Sequence, residues 1–108
     1  DSRETAAAWY LGLTRTGGPT GIVLSRQNLP LLDGTGKNAL KGAYILRDSK
    51  KKKPDVLLMA TGSEVELIYK AWDVLQEKGV DARVISMPSW EVFDEQSDRY
   101  KESVMPSD

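Results

Sequence analysis

Arg26 is the residue of this chain best suited to hold a ligand. It lies in the run Leu24-Ser25-Arg26-Gln27-Asn28-Leu29-Pro30, directly after the apolar stretch Ile22-Val23-Leu24, which reads as the end of a strand covered on both faces. Open α/β sheets gather their ligands at the carboxyl ends of strands. A guanidinium is permanently charged, and its planar fork matches a phosphate. One such charge-assisted hydrogen bond contributes on the order of 1.5 to 3 kcal/mol. The competing reading of Arg26 is an ion pair with a neighbouring carboxylate.

The other chemically suggestive stretches have plainer explanations. Thr61-Gly62-Ser63-Glu64 joins an apolar run to a helical pattern, so its backbone N–H groups and the helix dipole are placed to attract an anion. It lacks the lysine and glycine spacing of a P-loop, and Glu64 and Glu66 already satisfy the dipole and would repel phosphate; ordinary capping explains it better. Lys50 to Lys53 form a dense positive run without interleaved aromatics, the pattern of a solvated loop. Glu91, Asp94 and Glu95 lack the glycine spacing of a metal loop and are expected to face solvent. Trp90 has no periodic context, leaving it open between an anchor for a domain contact and a covered loop residue.

Composition narrows the chemistry further. The 108 residues include no cysteine and no histidine. This excludes disulfides, thiolate nucleophiles, a Ser-His-Asp triad and His- or Cys-based metal sites, leaving carboxylates, lysine, tyrosine and arginine. Fifteen basic side chains against 16 acidic ones give a net charge of -1, which argues against nucleic acid or acidic lipid as a partner. No stretch approaches the roughly 20 apolar residues that span a bilayer, and Asp1 to Glu4 do not resemble a secretion signal. The expected setting is soluble and cytoplasmic, without a membrane partner.

These residues need elements to position them. Asp1 and Glu4 stand at capping-box spacing, and Ala6, Trp9, Tyr10 and Leu13 recur at helical spacing, which predicts a helix to about Thr14 with that stripe buried. Gly17-Gly18-Pro19 ends it, and Thr20–Ser25 reads as a short buried strand. Turn-forming residues then dominate as far as Lys41. A strand is expected over Gly42–Leu46 and another over Val56–Met59. A helix follows, capped by Ser63 and Glu66, with Ile68, Ala71, Trp72 and Leu75 on its buried face and Gly79 as its stop. A further strand through Val84 and Ile85 completes a strand-helix-strand unit, the pattern of a parallel crossover. Trp9 and Trp72 are expected in the core. The first helix and strand stand apart from the later unit, as in a cut across two domains.

Three segments in succession, Leu24 to Pro30, Ala60-Thr61-Gly62-Ser63-Glu64-Val65 and Val84-Ile85-Ser86-Met87-Pro88-Ser89, resemble the transketolase family, in the order the family has them. Ser-Arg-Gln-Asn is the most specific of these motifs, and the resemblance extends from Glu4 to Tyr100-Lys101-Glu102-Ser103-Val104. It implies an α/β fold in which residues 1–28 are the end of a parallel-sheet pyrimidine-binding domain. Residues 29–41 would be a linker, and residues 42–108 the first part of a mixed-sheet α/β C-terminal domain. It also implies a parent transferase of the pentose phosphate pathway that moves a two-carbon ketol unit between sugar phosphates. Such an enzyme works as a homodimer, using thiamine diphosphate and a divalent cation, usually magnesium.

Within the family, the arginine of Ser-Arg-Gln-Asn contacts the substrate phosphate, a role that the resemblance carries to Arg26. The Gly-Asp-Gly motif for metal and diphosphate, the glutamate that activates the aminopyrimidine and the substrate-contacting histidines have no counterpart here. No catalytic, cofactor-binding or metal residue is therefore expected in this segment, which alone should be inactive and should depend on the remaining transketolase domains. The alternative is a free-standing, non-catalytic α/β module that binds an anion or a partner through Thr61–Glu64 or Trp90.

Overall fold

The computed structural model describes residues 1–107. Asp1 opens helix α1 (Ser2–Thr14) by accepting from the backbone N–H groups of Arg3 and Glu4, while the Glu4 carboxylate reaches back to the backbone nitrogen of Asp1. The same Asp1 carboxylate accepts from Leu32 N–H at 3.1 Å and from the Thr35 hydroxyl at 2.7 Å. One acidic side chain thus starts the helix and ties down the irregular stretch that follows, which ends in a 3-10 turn over Lys37–Lys41.

Downstream lie β1 (Tyr44–Arg47), β2 (Val56–Ala60), α2 (Glu64–Glu77), β3 (Ala82–Ser86), α3 (Trp90–Asp94) and α4 (Asp98–Val104). The sheet has three strands in the order β1-β3-β2. β2 and β3 run parallel, as the strand-helix-strand pattern predicts, and β1 pairs antiparallel with β3 in a register that sets Tyr44 opposite Ser86. Every residue of β3 is buried, because this central strand is covered on both faces. Val84, Tyr44 and Leu46 pack with Val65, Ile68 and Trp72 of α2. Ile85 and Ala43 pack with Phe93 and Val104 on the opposite face.

Polar side chains pin the layers. Arg83, buried within β3, donates to Asp48 at 2.7 Å and to the carbonyls of Ser103 and Val104. Arg47 forks onto Asp73 of α2 at 2.9 and 3.0 Å and stacks over the Trp72 ring, while the Trp72 indole donates to the Ala82 carbonyl. Asp81 accepts from Gln76 and from the backbone N–H groups of Lys50 and Lys51. These bonds, that of Gln76 foremost, hold its carboxyl down at about 2 and anchor the lysine loop by its backbone, leaving Lys50 to Lys53 exposed. α2 ends as the sequence predicts: Gly79 takes φ +78, and Gly79 and Val80 donate to the Gln76 and Leu75 carbonyls, closing the glycine-dependent cap.

Several expectations fail for physical reasons. Thr20–Ser25 forms no strand, because no neighbouring strand offers it a ladder; Val23 is 98% exposed. The parallel-sheet part of the expected fold is therefore not in this chain, and residues 1–28 contain one helix and no strand. α1 turns the face carrying Glu4 and Ala7 inward, not the Ala6-Trp9-Tyr10-Leu13 stripe, so Trp9 is 54% and Leu13 77% exposed. Ser63 makes no capping bond to the helix backbone; its hydroxyl turns to the Glu64 carboxylate instead. Trp72 packs against the core as expected, though it is only partly buried.

The contact between α1 and the sheet centres on Glu4. Oε1 of Glu4 accepts from the Tyr44 hydroxyl at 2.7 Å and also from the Ser86 hydroxyl. A single carboxylate oxygen therefore clasps a cross-strand pair of β1 and β3. Each bond to an ionised acceptor contributes roughly 1.5 to 3 kcal/mol, set against a desolvation cost of several kcal/mol for the buried charge. Burial, reinforced by the bond to Glu4, holds the Tyr44 phenol proton well above the ordinary tyrosine range.

The Tyr44 shift has a definite sign. The folded state keeps a proton that the unfolded chain releases near pH 10, so this contribution is complete below about pH 10 and is lost as pH rises further. Denaturation measured from pH 9 to 11 is expected to show stability falling more steeply, by about one proton, than in Tyr44→Phe. Gly42 gives a second prediction. It has φ +83, and a Cβ there would collide with the Ser89 carbonyl and the Phe93 backbone. Gly42→Ala is expected to cost roughly 3 kcal/mol or more in a denaturant titration, since neither clash partner is a movable side chain.

Candidate functional site

The parallel strands β2 and β3 both end at one edge of the sheet. There Thr61-Gly62 and Pro88-Ser89 form one wall of an open cleft of about 730 Å³. Glu4, Ala8 and Leu11 of α1 contribute to another wall, and the extended segment 19–29 closes the third side. The position matches the rule that α/β ligand sites lie beyond the carboxyl ends of parallel strands. The strand that Arg26 was expected to follow is absent; instead segment 19–29 lies beside the ends of β2 and β3, with Ser25 next to Gly62.

Ser25, Gln27 and Asn28 line this cleft. Arg26, between them, is exposed. Among the described residues the side-chain cations in ion pairs are Arg15, Arg47, Lys51, Lys70, Arg83 and Lys101, and Arg26 makes neither an ion pair nor a hydrogen bond there. The carboxylate-pair reading of Arg26 is therefore not realised among the described residues. Arg26 does not itself line the cleft; it stands between two residues that do.

The remaining candidates separate clearly. The N–H of Val65 bonds back to the Gly62 carbonyl, and Ser63 is bonded to Glu64, so the Thr61–Glu64 turn presents a carboxylate beside its helix start. Glu95 is taken up by Arg15 at 2.8 Å, which ties the end of α1 to the end of α3; Glu91 and Asp94 are exposed. No cluster of three or more acidic side chains able to hold a metal forms among the described residues. Trp90 is 67% exposed at the start of α3 and is not covered by the chain.

Sequence reasoning missed the Glu4–Tyr44–Ser86 cluster, of which Glu4 lines the cleft. Glu4 reads as half of a capping box, a role it also fulfils, and nothing local signals a partner 82 residues away. No described helix is long and apolar enough to cross a membrane.

Comparison with known proteins agrees with this architecture. The family model described as the transketolase-like TK C-terminal domain matches residues 42–108. The chain is 49% identical to transketolase of Bacillus subtilis, over all of this chain and 17% of that protein. It is also 49% identical to chloroplastic transketolase-1 of Arabidopsis thaliana, over all of this chain and 15% of that one. Among solved structures, a transketolase of Pichia stipitis in complex with sedoheptulose-7-phosphate superposes with a TM-score of 0.90 at 43% identity, covering 98% of this chain and 16% of that one. Transketolase from Leishmania mexicana gives a TM-score of 0.91 at 36% identity, again over 98% and 16%. The chain thus spans about one-sixth of the length of these relatives, all of them transferases by name. Its mixed three-stranded sheet, its family match over residues 42–108 and its near-half identity along the whole length show that the chain belongs to the transketolase family.

Proposed function

We propose that the chain is part of an enzyme that transfers a two-carbon ketol unit between sugar phosphates, and that Arg26 supplies a contact to the substrate phosphate. The observation that carries this is Arg26 itself, exposed and without an acidic partner among the described residues, set between Ser25 and Gln27, which line a cleft beyond the ends of two parallel strands. A similar enzyme with a sugar phosphate bound supports phosphate as the ligand. The Arg26 side chain would bind and orient the phosphate end of the substrate, fixing the sugar so that its reacting carbons are presented elsewhere in the parent enzyme.

The bond-making chemistry is that of thiamine diphosphate, held with a divalent cation by parts of the parent enzyme outside this chain. The segment alone is then inactive, and it works with the remaining domains in a homodimer. Residues 1–28 are read as the end of a pyrimidine-binding domain and residues 29–41 as a linker. The bare stripe Trp9, Tyr10 and Leu13, together with Val23 and Leu24, supports a segment whose packing partners lie elsewhere in a larger protein. The same bare surface disfavours a free-standing binding module, which would have to keep these side chains in water.

In the complete enzyme, Arg26→Ala is expected to lower kcat/KM for phosphorylated acceptors by roughly ten- to a hundredfold, mainly through KM, and to leave unphosphorylated acceptors nearly unchanged. Steady-state kinetics with a matched pair of acceptors reads the difference. Equal losses on both acceptors would contradict a phosphate contact.

A further inference from the structure

Glu4 is buried, yet nothing in the reading of Arg26 uses it. Its Oε1 is the shared acceptor of the Tyr44 and Ser86 hydroxyls, and those residues face one another across β1 and β3. Ser86 is the last residue of β3, two positions before the Pro88-Ser89 wall of the cleft, and Glu4 itself lines the cleft. Among the described residues no other hydrogen bond joins α1 to the sheet. The remaining tie, Arg15 to Glu95, is half exposed and weak for that reason.

An apolar side chain would fill the position of Glu4 without the cost of burying a charge. A shared carboxylate gives orientation instead, because both hydroxyls must point at one oxygen. α1 leads through Gly17-Gly18-Pro19 into the segment that carries Arg26, so the angle of α1 on the sheet sets where that segment meets the strand ends. We propose that Glu4 is a positioning residue, its clasp on Tyr44 and Ser86 holding the cleft-lining segment that carries Arg26 at the distance from the strand ends that phosphate binding requires. This rests on the reading of Arg26 as the phosphate contact.

The test uses the complete enzyme well below its unfolding temperature, with phosphorylated and unphosphorylated acceptors. Glu4→Ala is expected to raise KM for the phosphorylated acceptor by roughly tenfold with kcat changed less than about threefold, and to leave the unphosphorylated acceptor within about twofold. Glu4→Gln keeps an Oε1 acceptor for both hydroxyls and is expected to restore KM to within about twofold of the parent. In the Arg26→Ala background, Glu4→Ala should add less than about twofold, because the two act on one contact.

A lowered melting temperature with unaltered acceptor kinetics would overturn the proposal, as would equal losses on both acceptors. Should Glu4→Ala fail to fold, Ser86→Ala removes one donor and leaves the other; a selective KM rise of a few-fold is expected there, roughly, and its absence would count against the clasp. A selective loss in Arg26→Ala with a non-selective one in Glu4→Ala overturns positioning and spares the Arg26 reading. A selective loss in Glu4→Ala without one in Arg26→Ala overturns the Arg26 reading and retains Glu4 as a positioning residue for another phosphate contact.

Discussion

A single buried carboxylate decides how the first part of this chain meets the rest. Glu4 stands in the first turn of α1, yet its oxygen is held by hydroxyls from β1 and β3. Without that clasp α1 would present to the sheet little more than Ala7, the other buried residue of the helix, a small apolar contact worth about a kcal/mol. The electrostatic tie is directional where the apolar one is not. It sets Glu4 in the lining of the cleft, beside the segment that carries Arg26.

Two acidic residues one turn apart share this work. Asp1 caps the helix and gathers the irregular stretch through Leu32 and Thr35, while Glu4 completes the cap and grips the sheet. The sheet answers with its own buried charge, Arg83, spread over Asp48 and the end of α4. Among the described residues no buried side-chain polar atom lacks a partner. Unsatisfied groups would cost 1 to 3 kcal/mol each, roughly, so the polar interior is compatible with a small domain. What stays unsatisfied is apolar and on the surface: Trp9, Leu13, Val23 and Trp90 lie bare, as expected of a segment spanning about one-sixth of its relatives' length.

Local signals in the sequence translated well. The Asp1–Glu4 capping box, the Gly79 cap, the packing of Ile68 and Trp72 from α2 and the strand through Val84 and Ile85 depend on residues a few positions apart, and each formed as read. Apart from the Ser63 cap, lost locally to the Glu64 carboxylate, failures arose where a partner had to be supplied from a distance. Ile22-Val23-Leu24 has the composition of a covered strand, but a strand needs a neighbour, and this chain has none to give it. The stripe Trp9-Tyr10-Leu13 has the periodicity of a buried face without the surface that buries it. Arg26 was legible as a ligand candidate from residue type and motif; that it has no carboxylate partner among the described residues needed the fold. The Glu4 clasp was illegible, because its partners are set by strand register and not by spacing.

The most direct measurement is a crystal structure of the complete enzyme with a phosphorylated acceptor bound. The account predicts the Arg26 guanidinium within about 3.2 Å of phosphate oxygens, with Glu4 still shared between Tyr44 and Ser86. A phosphate held entirely by other residues, with Arg26 left in solvent, would contradict it.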